Sequence, residues 1–475
     1  MKIFNVIKYQ LYLLQLENYE LVRYFVLLFK KGILPPVGLR KSLVWTKKAL
    51  LLFSLAVATH LVLPAVVFFY FTSGLSVVSV RYYALCALLL TAYYLLQFLY
   101  FILYTLYSVL FWPLDFIVKQ IIIKKAKFKV KYLGSRIKII GIAGSYGKTT
   151  MKHALTKVLG EKFKVLSTPE SVNTSIGVAR WILKEVDESA QILIIEMGEH
   201  YRGDIEALCK IARPDISVIT GINEAHLERM GSLDEIASTV FEAVSYSKPG
   251  AVIVLNGDDK NVMGLYKEFV WKDHRVEKFQ ISNFKFQKFN AEELFWTGNH
   301  PEAGEIKIHL LGEYALGYAD AAIQVAKSFV ISWEEVRRGI EKIKPVEHRL
   351  QPIRSAGDLL IIDDAYNGNP EGASEAIRVL SRIENRRKVY ITPGLVEMGK
   401  ATKEVHIEIG EQLVGVADIV VLIKNSVTPS IELGIKNRTE IIWFNTAQEA
   451  HSKLSTILKP GDVVVFQNDW GDNYV

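Results

Sequence analysis

One seven-residue motif, GSYGKTT at positions 144–150, fixes the local fold around it. The apolar run Ile137–Ile142 precedes it, and Met151–Leu159 has the composition of a helix. A strand, a glycine-rich turn and a helix that opens with lysine and threonine form a cradle whose backbone N–H groups face an anion. Gly144 and Gly147 carry no Cβ, so the backbone can approach that anion closely. The motif predicts a nucleoside triphosphate site.

The side chains of this loop have separable roles. Lys148 supplies a positive charge for the terminal phosphates, and the Thr149 hydroxyl is a Mg²⁺ ligand. The longer common form of the loop has a glycine five residues before Gly147, where this chain has Ile142. The loop is therefore the shorter G-x-x-G-K-T form. The residues predicted to contact nucleotide are Gly144, Ser145, Tyr146, Gly147, Lys148, Thr149 and Thr150.

Composition narrows the class of protein. A chain of 475 residues has room for about three domains. The net charge of +7 is compatible with a nucleic-acid partner, but many cations flank apolar segments, at 30–31, 40–41, 47–48 and 119–131. That placement favours anionic lipid, so membrane lipids and no nucleic acid are expected as partners. Two cysteines exclude a disulfide framework.

Two long uncharged stretches predict a membrane hairpin. Ala49–Phe71 has no Asp, Glu, Lys or Arg over 23 residues, and Tyr82–Trp112 has none over 31. About 20 apolar residues suffice to span a bilayer. Basic residues outside both spans place the two ends on the cytoplasmic side, which predicts a multi-pass protein of the bacterial cytoplasmic membrane. The segment Tyr9–Phe29 is predicted to be amphipathic, lying on the membrane, against a partner or on the soluble body.

The remaining chain alternates between strand and helix patterns, which favours parallel sheets covered by helices. The pattern breaks near Lys344-Pro345-Val346 and then begins again. The predicted fold class is α/β, with a P-loop parallel-sheet central domain, a Rossmann-like C-terminal domain and two preceding transmembrane helices. The predicted regions are 1–48 (amphipathic and basic), 49–116 (hairpin), 117–135 (basic linker), 136–345 (central domain) and 346–475 (C-terminal domain).

Further polar residues follow predicted strands. Glu196 ends the apolar strand Ile192–Ile195, at the place where a Mg²⁺ ligand beside a phosphate loop would lie. Asn223-Glu224-Ala225-His226 follows the next strand, Ile216–Thr220. A single histidine is more often structural than a ligand, but its place at a third strand end favours a metal.

Taken in order, these motifs resemble the Mur ligase family. They are GSYGKTT, SVNTSIG from Ser171, EMG from Glu196 and NEAHLE from Asn223, followed by HRL from His348 and DDAYNGNP from Asp363. The resemblance covers Ile137 to the C-terminus and is strongest to the branch that adds D-alanyl-D-alanine to a UDP-linked muramoyl tripeptide. It implies that ATP phosphorylates a carboxylate and that an amine attacks the acyl phosphate.

The resemblance also implies roles for single residues. Thr149 and Glu196 would hold one Mg²⁺, and His226 a second. Arg349 would reach the phosphates as a catalytic residue, together with Lys148 and His226. The remaining implied contacts are Asn223, Asp364, Tyr366 and Asn367 with the nucleotide, and Asn173, Thr174 and Ser175 with the substrate.

Four departures from the family pattern affect these expectations. The family's carbamylated lysine is replaced by Val240, two residues before Glu242. Its adenine-side motif reads GEYALGY from Gly312, in which Tyr314 or Tyr318 is available to stack on the base. Its late Lys-Gly-Ser reads Gln467-Asn468-Asp469. A membrane hairpin stands in place of the N-terminal UDP-sugar domain.

The predicted function is a membrane-anchored, ATP- and Mg²⁺-dependent amide ligase for a cell-wall precursor, UDP-linked or lipid-linked, with an amino acid or dipeptide as the amine. Two alternatives remain open at this point. The chain could be a ligase for another poly-amino acid, or a membrane scaffold with a degenerate ligase body, which the absent lysine and Lys-Gly-Ser favour.

Overall fold

The computed structural model describes residues 2–16, 24, 46, 49–58, 113–170, 172–199, 201–223, 230–285, 287–365, 368–395, 398 and 401–467. The chain divides into two units. One comprises Met1–Gln120 with Asp472–Val475, and the other comprises Ile121–Gly471.

In the first unit the described residues other than Thr46 are helical. Helix α1 spans Lys2–Leu16, and residues 49–58 form helix α2. Most of the predicted hairpin, residues 59–112, lies outside the described residues, so the hairpin stays a prediction. Within the described parts of the chain, no helix combines the length and the apolar character that crossing a bilayer requires.

Residues 113–133 form helix α3 in the region expected to be a basic linker. Its C-terminal half belongs to the second unit, where Ala126 and Leu133 are buried in the core. Lys129 also donates to the Leu183 carbonyl at 3.0 Å. This half is therefore packed on the body, while the ring of Phe128 remains 72% exposed.

The predicted central sheet is confirmed. Six parallel strands lie in the order β2-β3-β1-β4-β5-β6. They are β1 (Lys138–Ala143), β2 (Val165–Ser167), β3 (Ile192–Glu196), β4 (Ile216–Ile219), β5 (Val252–Asn256) and β6 (Arg275–Phe279). Its helices are α4 (Lys148–Leu159), α5 (Ser175–Glu185), α6 (Asp204–Ile211), α7 (Leu233–Val240), α8 (Glu242–Ser245) and α9 (Lys260–Leu265).

The register of this sheet brings the functional strand ends together. Ile142 of β1 pairs with Glu196 of β3, and Ala143 pairs with Ile219 of β4. Because parallel strands end at the same edge, the phosphate loop, Glu196 and the loop after β4 meet there. The sequence pattern predicted this meeting correctly.

A small antiparallel sheet, which the sequence analysis did not predict, follows the central one. Its strands β7 (Gln287–Asn290), β8 (Phe295–His300) and β9 (Gly304–Ile308) are short and mix polar with aromatic residues. Helices α10 (Tyr314–Ala326) and α11 (Trp333–Glu341) then pack against α4. Trp296, Ile306 and Ile308 share one core with the β1 side chains Ile140 and Ile142.

The C-terminal domain is a second six-stranded sheet, of order β10-β11-β15-β12-β13-β14. All its pairings are parallel except that of β10 with β11. The strands are β10 (Gln351–Ser355), β11 (Leu359–Asp364), β12 (Lys388–Thr392), β13 (Ile419–Ile423), β14 (Glu440–Phe444) and β15 (Val463–Gln467). The helices are α12 (Pro370–Arg382), α13 (Thr402–Leu413), α14 (Thr428–Ile435) and α15 (Ala447–Ile457).

Several predicted boundaries differ from the structure for identifiable reasons. Helix α4 begins at Lys148, three residues before the predicted start, because Gly147 is left-handed (φ 76°) and serves as its N-cap. The sequence pattern over Glu235–Tyr246 predicts one helix, whereas the structure has two helices that meet at Phe241. Strand β10 was not predicted because its sequence, QPIRS, is polar and lies at a sheet edge.

Candidate active site

The phosphate loop is held open by the end of the neighbouring strand. Gly144 has φ 142°, and a Cβ there would lie 2.2 Å from the Thr220 hydroxyl oxygen. The Ser145 N–H donates to the Gly221 carbonyl at 2.8 Å. Both contacts require that position 144 be glycine, because any side chain would displace the loop from β4. The backbone is thus preorganised around the space in front of the α4 N-terminus.

Tyr146 fixes the tip of the loop. Its hydroxyl donates to the Asp259 carboxylate at 2.6 Å, and its ring lies over Gly221, where a Cβ would come within 2.1 Å of it. The same Asp259 oxygen accepts from the Ile222 N–H at 3.0 Å. Burial and the adjacent carboxylate raise the pKa of Tyr146 far above its ordinary value. The phenol therefore stays protonated, and its hydrogen bond to Asp259 holds the tip of the loop in place.

The loop lysine and threonine each contact an acidic side chain. The Lys148 ammonium lies 2.7 Å from Oε1 of Glu199 and donates to the Gly144 carbonyl. The Thr149 hydroxyl lies 3.4 Å from Oε1 of Glu196. Hydroxyl and carboxylate oxygens are the ligands that Mg²⁺ prefers, and it commonly takes only one or two from the protein when phosphates supply others. Thr149 and Glu196 therefore fit a Mg²⁺ that accompanies a nucleotide.

Lys152 controls the charge of Glu196. Its ammonium is buried and lies 2.9 Å from Oε2 of Glu196. Burial alone would raise the pKa of Glu196, but Lys152, Lys148 and Arg349 outweigh it and hold that pKa below its ordinary value. Glu196 is therefore an anion at neutral pH and ready to bind a cation.

The residues predicted to contact substrate lie beside this acidic edge. Asn173 packs against Gly198, and its carbonyl accepts from the Gly198 N–H at 3.0 Å. Thr174 caps helix α5, since its hydroxyl accepts from the Gly177 N–H at 3.3 Å. Ser175 is the first residue of α5. The structure thus gives Thr174 a capping role and brings Asn173 next to the loop that follows Glu196.

Asn223 joins the two domains at this edge. Its side-chain amide donates to Oε2 of Glu371 at 2.6 Å. Glu371 lies in the first turn of α12, in the C-terminal domain. A second link is formed by Arg382, which lies 2.6 Å from the Glu313 carboxylate. The nucleotide site is therefore closed on one side by the second domain.

Arg349 is presented by a strained turn. The residues on either side of it, His348 (φ 60°) and Leu350 (φ 42°), are left-handed without being glycine. Such conformations persist where the surroundings over-determine them. Asp363 accepts from His348 Nδ1 at 2.7 Å, and Asp364 accepts from the Leu350 N–H at 3.1 Å. The two aspartates of the DDAYNGNP motif thus hold the turn that carries Arg349, whose charge helps to lower the pKa of Glu196 after the larger effects of Lys152 and Lys148.

Asp364 is electrostatically unusual. Burial raises the pKa of Asp364 to about 6, although the Leu350 N–H and Arg349 act in the opposite direction. Burial, followed by the charges of Tyr318 and Asp364, raises the pKa of Tyr314 at the same junction. Asp364 was predicted to contact nucleotide; the structure shows it contacting the turn that carries Arg349.

The two tyrosines of the expected adenine side differ. A Cβ on Gly147 would lie 2.5 Å from the Tyr318 hydroxyl, so Tyr318 supports the phosphate loop from behind. Burial raises the pKa of Tyr318 to about 12, against the opposing effects of Arg349 and of a hydrogen bond with Thr150. Tyr314 meets Tyr318 edge-on, with ring centroids 5.3 Å apart. Stacking of Tyr314 or Tyr318 on a base stays a prediction.

Three predicted residues, His226, Tyr366 and Asn367, lie outside the described residues. Val240 is fully buried in the apolar core, so it provides no ligand. Glu242 has a structural role, because its carboxylate accepts from the N–H groups of Gly203 and Glu206 at 2.7 and 2.9 Å. Gln467 is buried and accepts from the Thr392 hydroxyl at 2.6 Å.

Two residues of the site were missed by the sequence analysis. Lys152 lies one helical turn beyond Lys148, so the i,i+4 spacing could have placed it on the same face. Glu199 lies in the loop after β3, where no periodicity indicates which way a side chain points. Among the described residues, no group of three or more His, Cys, Asp or Glu is arranged to hold a metal.

Comparisons with known proteins agree with this geometry. Residues 142–326 match the Mur ligase middle domain, and residues 348–467 match the Mur ligase glutamate ligase domain. The UDP-N-acetylmuramoyl-tripeptide–D-alanyl-D-alanine ligase of Bacillus subtilis is 30% identical over 294 residues, which are 60% of this chain and 62% of that relative.

Solved structures extend the comparison. MurF from Acinetobacter baumannii has a TM-score of 0.66 at 24% identity, covering 74% of this chain and 77% of that one. MurF from Thermotoga maritima, solved with ADP, has a TM-score of 0.64 at 26% identity, covering 74% and 80%. The chain therefore carries the middle domain and the glutamate ligase domain of the Mur ligase family.

Proposed function

We propose that this chain is an ATP-dependent amide ligase acting on a cell-wall precursor peptide. The proposal depends on one observation. Lys148, Thr149 and Glu196 lie at the edge of the central sheet where Asn223 donates to Glu371 of the C-terminal domain at 2.6 Å. Phosphoryl transfer requires positioning and charge neutralisation more than covalent chemistry. A phosphate loop closed by a second domain provides both, because the domain junction excludes water from the reacting groups.

The described residues have definable parts in this reaction. Lys148 leaves Glu199 to bind the terminal phosphates, and Arg349, whose turn is held by Asp363 and Asp364, neutralises charge as the γ-phosphoryl group moves to the carboxylate. Thr149 and Glu196 would hold Mg²⁺, which supplies Lewis-acid polarisation of the phosphate oxygens. The amine then attacks the acyl phosphate, forms the amide bond and releases phosphate.

The substrates follow from the relatives. The names of the B. subtilis protein and its counterparts specify a UDP-linked muramoyl tripeptide and D-alanyl-D-alanine. A UDP-linked or lipid-linked peptide is proposed as the carboxylate, and an amino acid or dipeptide as the amine. Asn173, beside Gly198 at the acidic edge, is positioned to contact the carboxylate substrate. The 690 Å³ cavity between α12 and α13, which Glu371 lines, is a candidate for the amine.

The deciding experiment is product formation by the full-length chain. ATP, D-alanyl-D-alanine and either UDP-linked or lipid-linked tripeptide are supplied, and the peptide mass and phosphate release are measured. We expect a pentapeptide and one phosphate per amide, and a loss of about a hundredfold or more with Lys148→Ala. Lys157→Ala, on the exposed face of the same helix, is the matched control and should retain activity.

Two outcomes would redirect this proposal. ATP turnover that depends on a different amino-acid acceptor would indicate a ligase for another poly-amino acid. Failure of the wild type to bind ATP, with a cellular phenotype that survives Lys148→Ala, would indicate a scaffold whose ligase body is inactive.

A membrane location is proposed as well. The support is the sequence of the uncharged stretch Tyr82–Trp112 and the apolar surface of α3 that follows it. Ile121, Phe128 and Tyr132 share one face of that helix and are 47%, 72% and 61% exposed. Aromatic and basic side chains on one helix favour the bilayer interface. The full-length chain should stay with membranes through alkaline extraction; complete release would contradict the anchor.

A further inference from the structure

The carboxylate of Glu199 is the least expected charge in the structure. Its side chain is only 1% exposed, and Oε1 lies 2.7 Å from the Lys148 ammonium. The other oxygen, Oε2, is buried and accepts no hydrogen bond from the described residues. A buried carboxylate oxygen without a partner is costly, because burial removes the water that would otherwise solvate it. Such an oxygen indicates a position built for a ligand.

Local charges explain why that position matters. Lys148 and Lys152 neutralise Glu199 and Glu196, at 2.7 and 2.9 Å, so the edge is balanced without nucleotide. A triphosphate that takes over Lys148 leaves the Glu199 carboxylate unneutralised and next to several phosphate charges. Like charges held close together in a buried site repel each other more strongly than in water. An added cation restores the balance.

Among the described residues at this edge, Glu199 is an acidic group able to meet that cation. The corresponding face of α7 offers Val240, which is buried and apolar. The loop that carries Glu199 is tied to helix α8, because Glu242 accepts from the Gly203 N–H at 2.7 Å. Glu196, three residues earlier, already faces Thr149 and Lys152. Glu199 is therefore held at the phosphate end of the site, and its Oε2 accepts no hydrogen bond from the described residues.

We propose that Glu199 is an exchangeable magnesium ligand. Without nucleotide it pairs with Lys148, and when the terminal phosphate takes Lys148 its carboxylate binds a second Mg²⁺ against that phosphate. This inference rests on the proposed ATP site and adds a ligand for which the sequence motifs give no signal. No bond is formed or broken; the ammonium changes its partner from carboxylate to phosphate, and the carboxylate changes its partner from ammonium to metal.

The exchange of partners at Glu199 should have two measurable effects, one on nucleotide affinity without metal and one on Mn²⁺ binding. With EDTA, Glu199→Gln should bind the non-hydrolysable analogue AMP-PNP about tenfold more tightly, because the glutamine neither competes for Lys148 nor repels the phosphates. With Mn²⁺ as the probe, the same variant should lose the second bound ion or bind it about tenfold or more weakly, by comparison with other changes around metal sites. Calorimetry measures the first effect, and electron paramagnetic resonance of Mn²⁺ measures the second.

The controls use the full-length chain throughout. Glu185→Gln removes an exposed carboxylate that pairs with Lys184 on α5, and should change neither measurement. ADP, which lacks the γ-phosphate, should bind one Mn²⁺ in both wild type and Glu199→Gln. Thermal unfolding confirms that each variant is folded. If Glu199→Gln does not fold, Glu199→Asp replaces it, with two Mn²⁺ ions and a weakened second site as the expected result.

Other results would overturn the proposal. A merely structural ion pair predicts weaker AMP-PNP binding with and without metal, and a simple inhibitory contact predicts tighter binding with two Mn²⁺ ions retained. Unchanged affinity for the second ion in Glu199→Asp would also contradict it. These measurements need no ligase substrate. Wild type that binds no AMP-PNP would refute the proposed function, whereas wild type that binds AMP-PNP with one Mn²⁺ would refute only the role of Glu199.

Discussion

The middle domain contains two buried acidic clusters that are built in opposite ways. Asp320 is fully buried on α10 and accepts from the Gln280 N–H, the Asn283 amide and the Gln324 amide at 2.7, 2.7 and 2.9 Å, with His300 Nε2 at 3.2 Å. At the phosphate loop, Glu196 and Glu199 are paired with lysines, yet Oε2 of Glu199 has no hydrogen-bond partner among the described residues.

This difference separates a structural cluster from a functional one. Both carboxylate oxygens of Asp320 accept hydrogen bonds that hold the small antiparallel sheet and the end of β6 to α10. Neither oxygen is therefore available to a ligand. The carboxylates of Glu196 and Glu199 can still accept further bonds, and the lysines that neutralise them can be replaced by a metal ion. Incomplete satisfaction of buried polar groups is unfavourable for stability and is expected where a ligand completes the site.

The largest loss of stability is expected at Asp320, where both carboxylate oxygens are hydrogen-bonded. Asp320→Ala leaves four donors without their acceptor, and breaking a buried ionic network by removing one partner costs about 3–5 kcal/mol. Urea unfolding of the full-length chain should show that loss, while the fraction that remains folded binds ATP normally. A change below about 1 kcal/mol would mean that the two clusters do not differ as the hydrogen bonds indicate.

Asp364 offers a pH-dependent version of the same comparison. Its pKa of about 6 in the folded chain exceeds the ordinary value of 3.8, so the native state binds more protons than the unfolded state between those values. Stability contributed by the protonated carboxyl is full below about pH 4 and is lost as pH rises through 6, amounting to at most about 3 kcal/mol. Asp364→Asn should therefore stabilise the chain at pH 8 and not at pH 4.

The control for that prediction is Asp358→Asn, whose exposed carboxylate pairs with Arg386. Thermal unfolding of both variants across the pH range distinguishes them. Stabilisation by Asp364→Asn that is equal at pH 4 and pH 8 would contradict the raised pKa.

Lys152 should matter for chemistry more than for folding. Lys152→Met removes the cation that keeps the pKa of Glu196 low, so that burial raises it instead. We expect Mn²⁺–nucleotide affinity to fall about 10- to 100-fold. It should also weaken further as pH falls, because the Glu196 carboxylate takes up a proton more readily in the variant than in the wild type. Lys157→Met, exposed on the same helix, is the matched control, and an equal loss in both variants would contradict this role.

The smallest effect is expected at His406, which holds the loop after β12. Its Nε2 accepts from the Leu395 N–H at 2.9 Å, and burial lowers the pKa of the ring. The unfolded state therefore binds protons more readily, and the stability contributed by the neutral ring is lost as pH falls below about 6.5. The protection factor of the Leu395 amide, which is its intrinsic exchange rate divided by its observed rate, should be about tenfold lower at pH 5 than at neutral pH, as for the loss of one hydrogen bond. The amides that face Asp320 should not respond.

The sequence predicted those parts of the site that local chemistry dictates. The glycines and the Lys148-Thr149 pair define a phosphate loop wherever a strand precedes and a helix follows, and Glu196 ends a strand that can lie beside it. The sheet cores were also predicted, because alternating strand and helix patterns admit few arrangements. The structural use of Glu242 was not predicted, since it depends on partners 36 and 39 residues away in the chain.

By itself, then, the sequence determined the two α/β domains, the phosphate loop and the order of the acidic motifs, because these follow from side-chain periodicity and backbone freedom over short distances. Only the tertiary structure decided which carboxylates are satisfied. Three sets of contacts join residues 14 to 51 positions apart: Glu199 pairs with Lys148, Lys152 pairs with Glu196, and Asp363 and Asp364 bind the turn that carries Arg349. Burial and charge balance, which no short sequence pattern encodes, set those contacts.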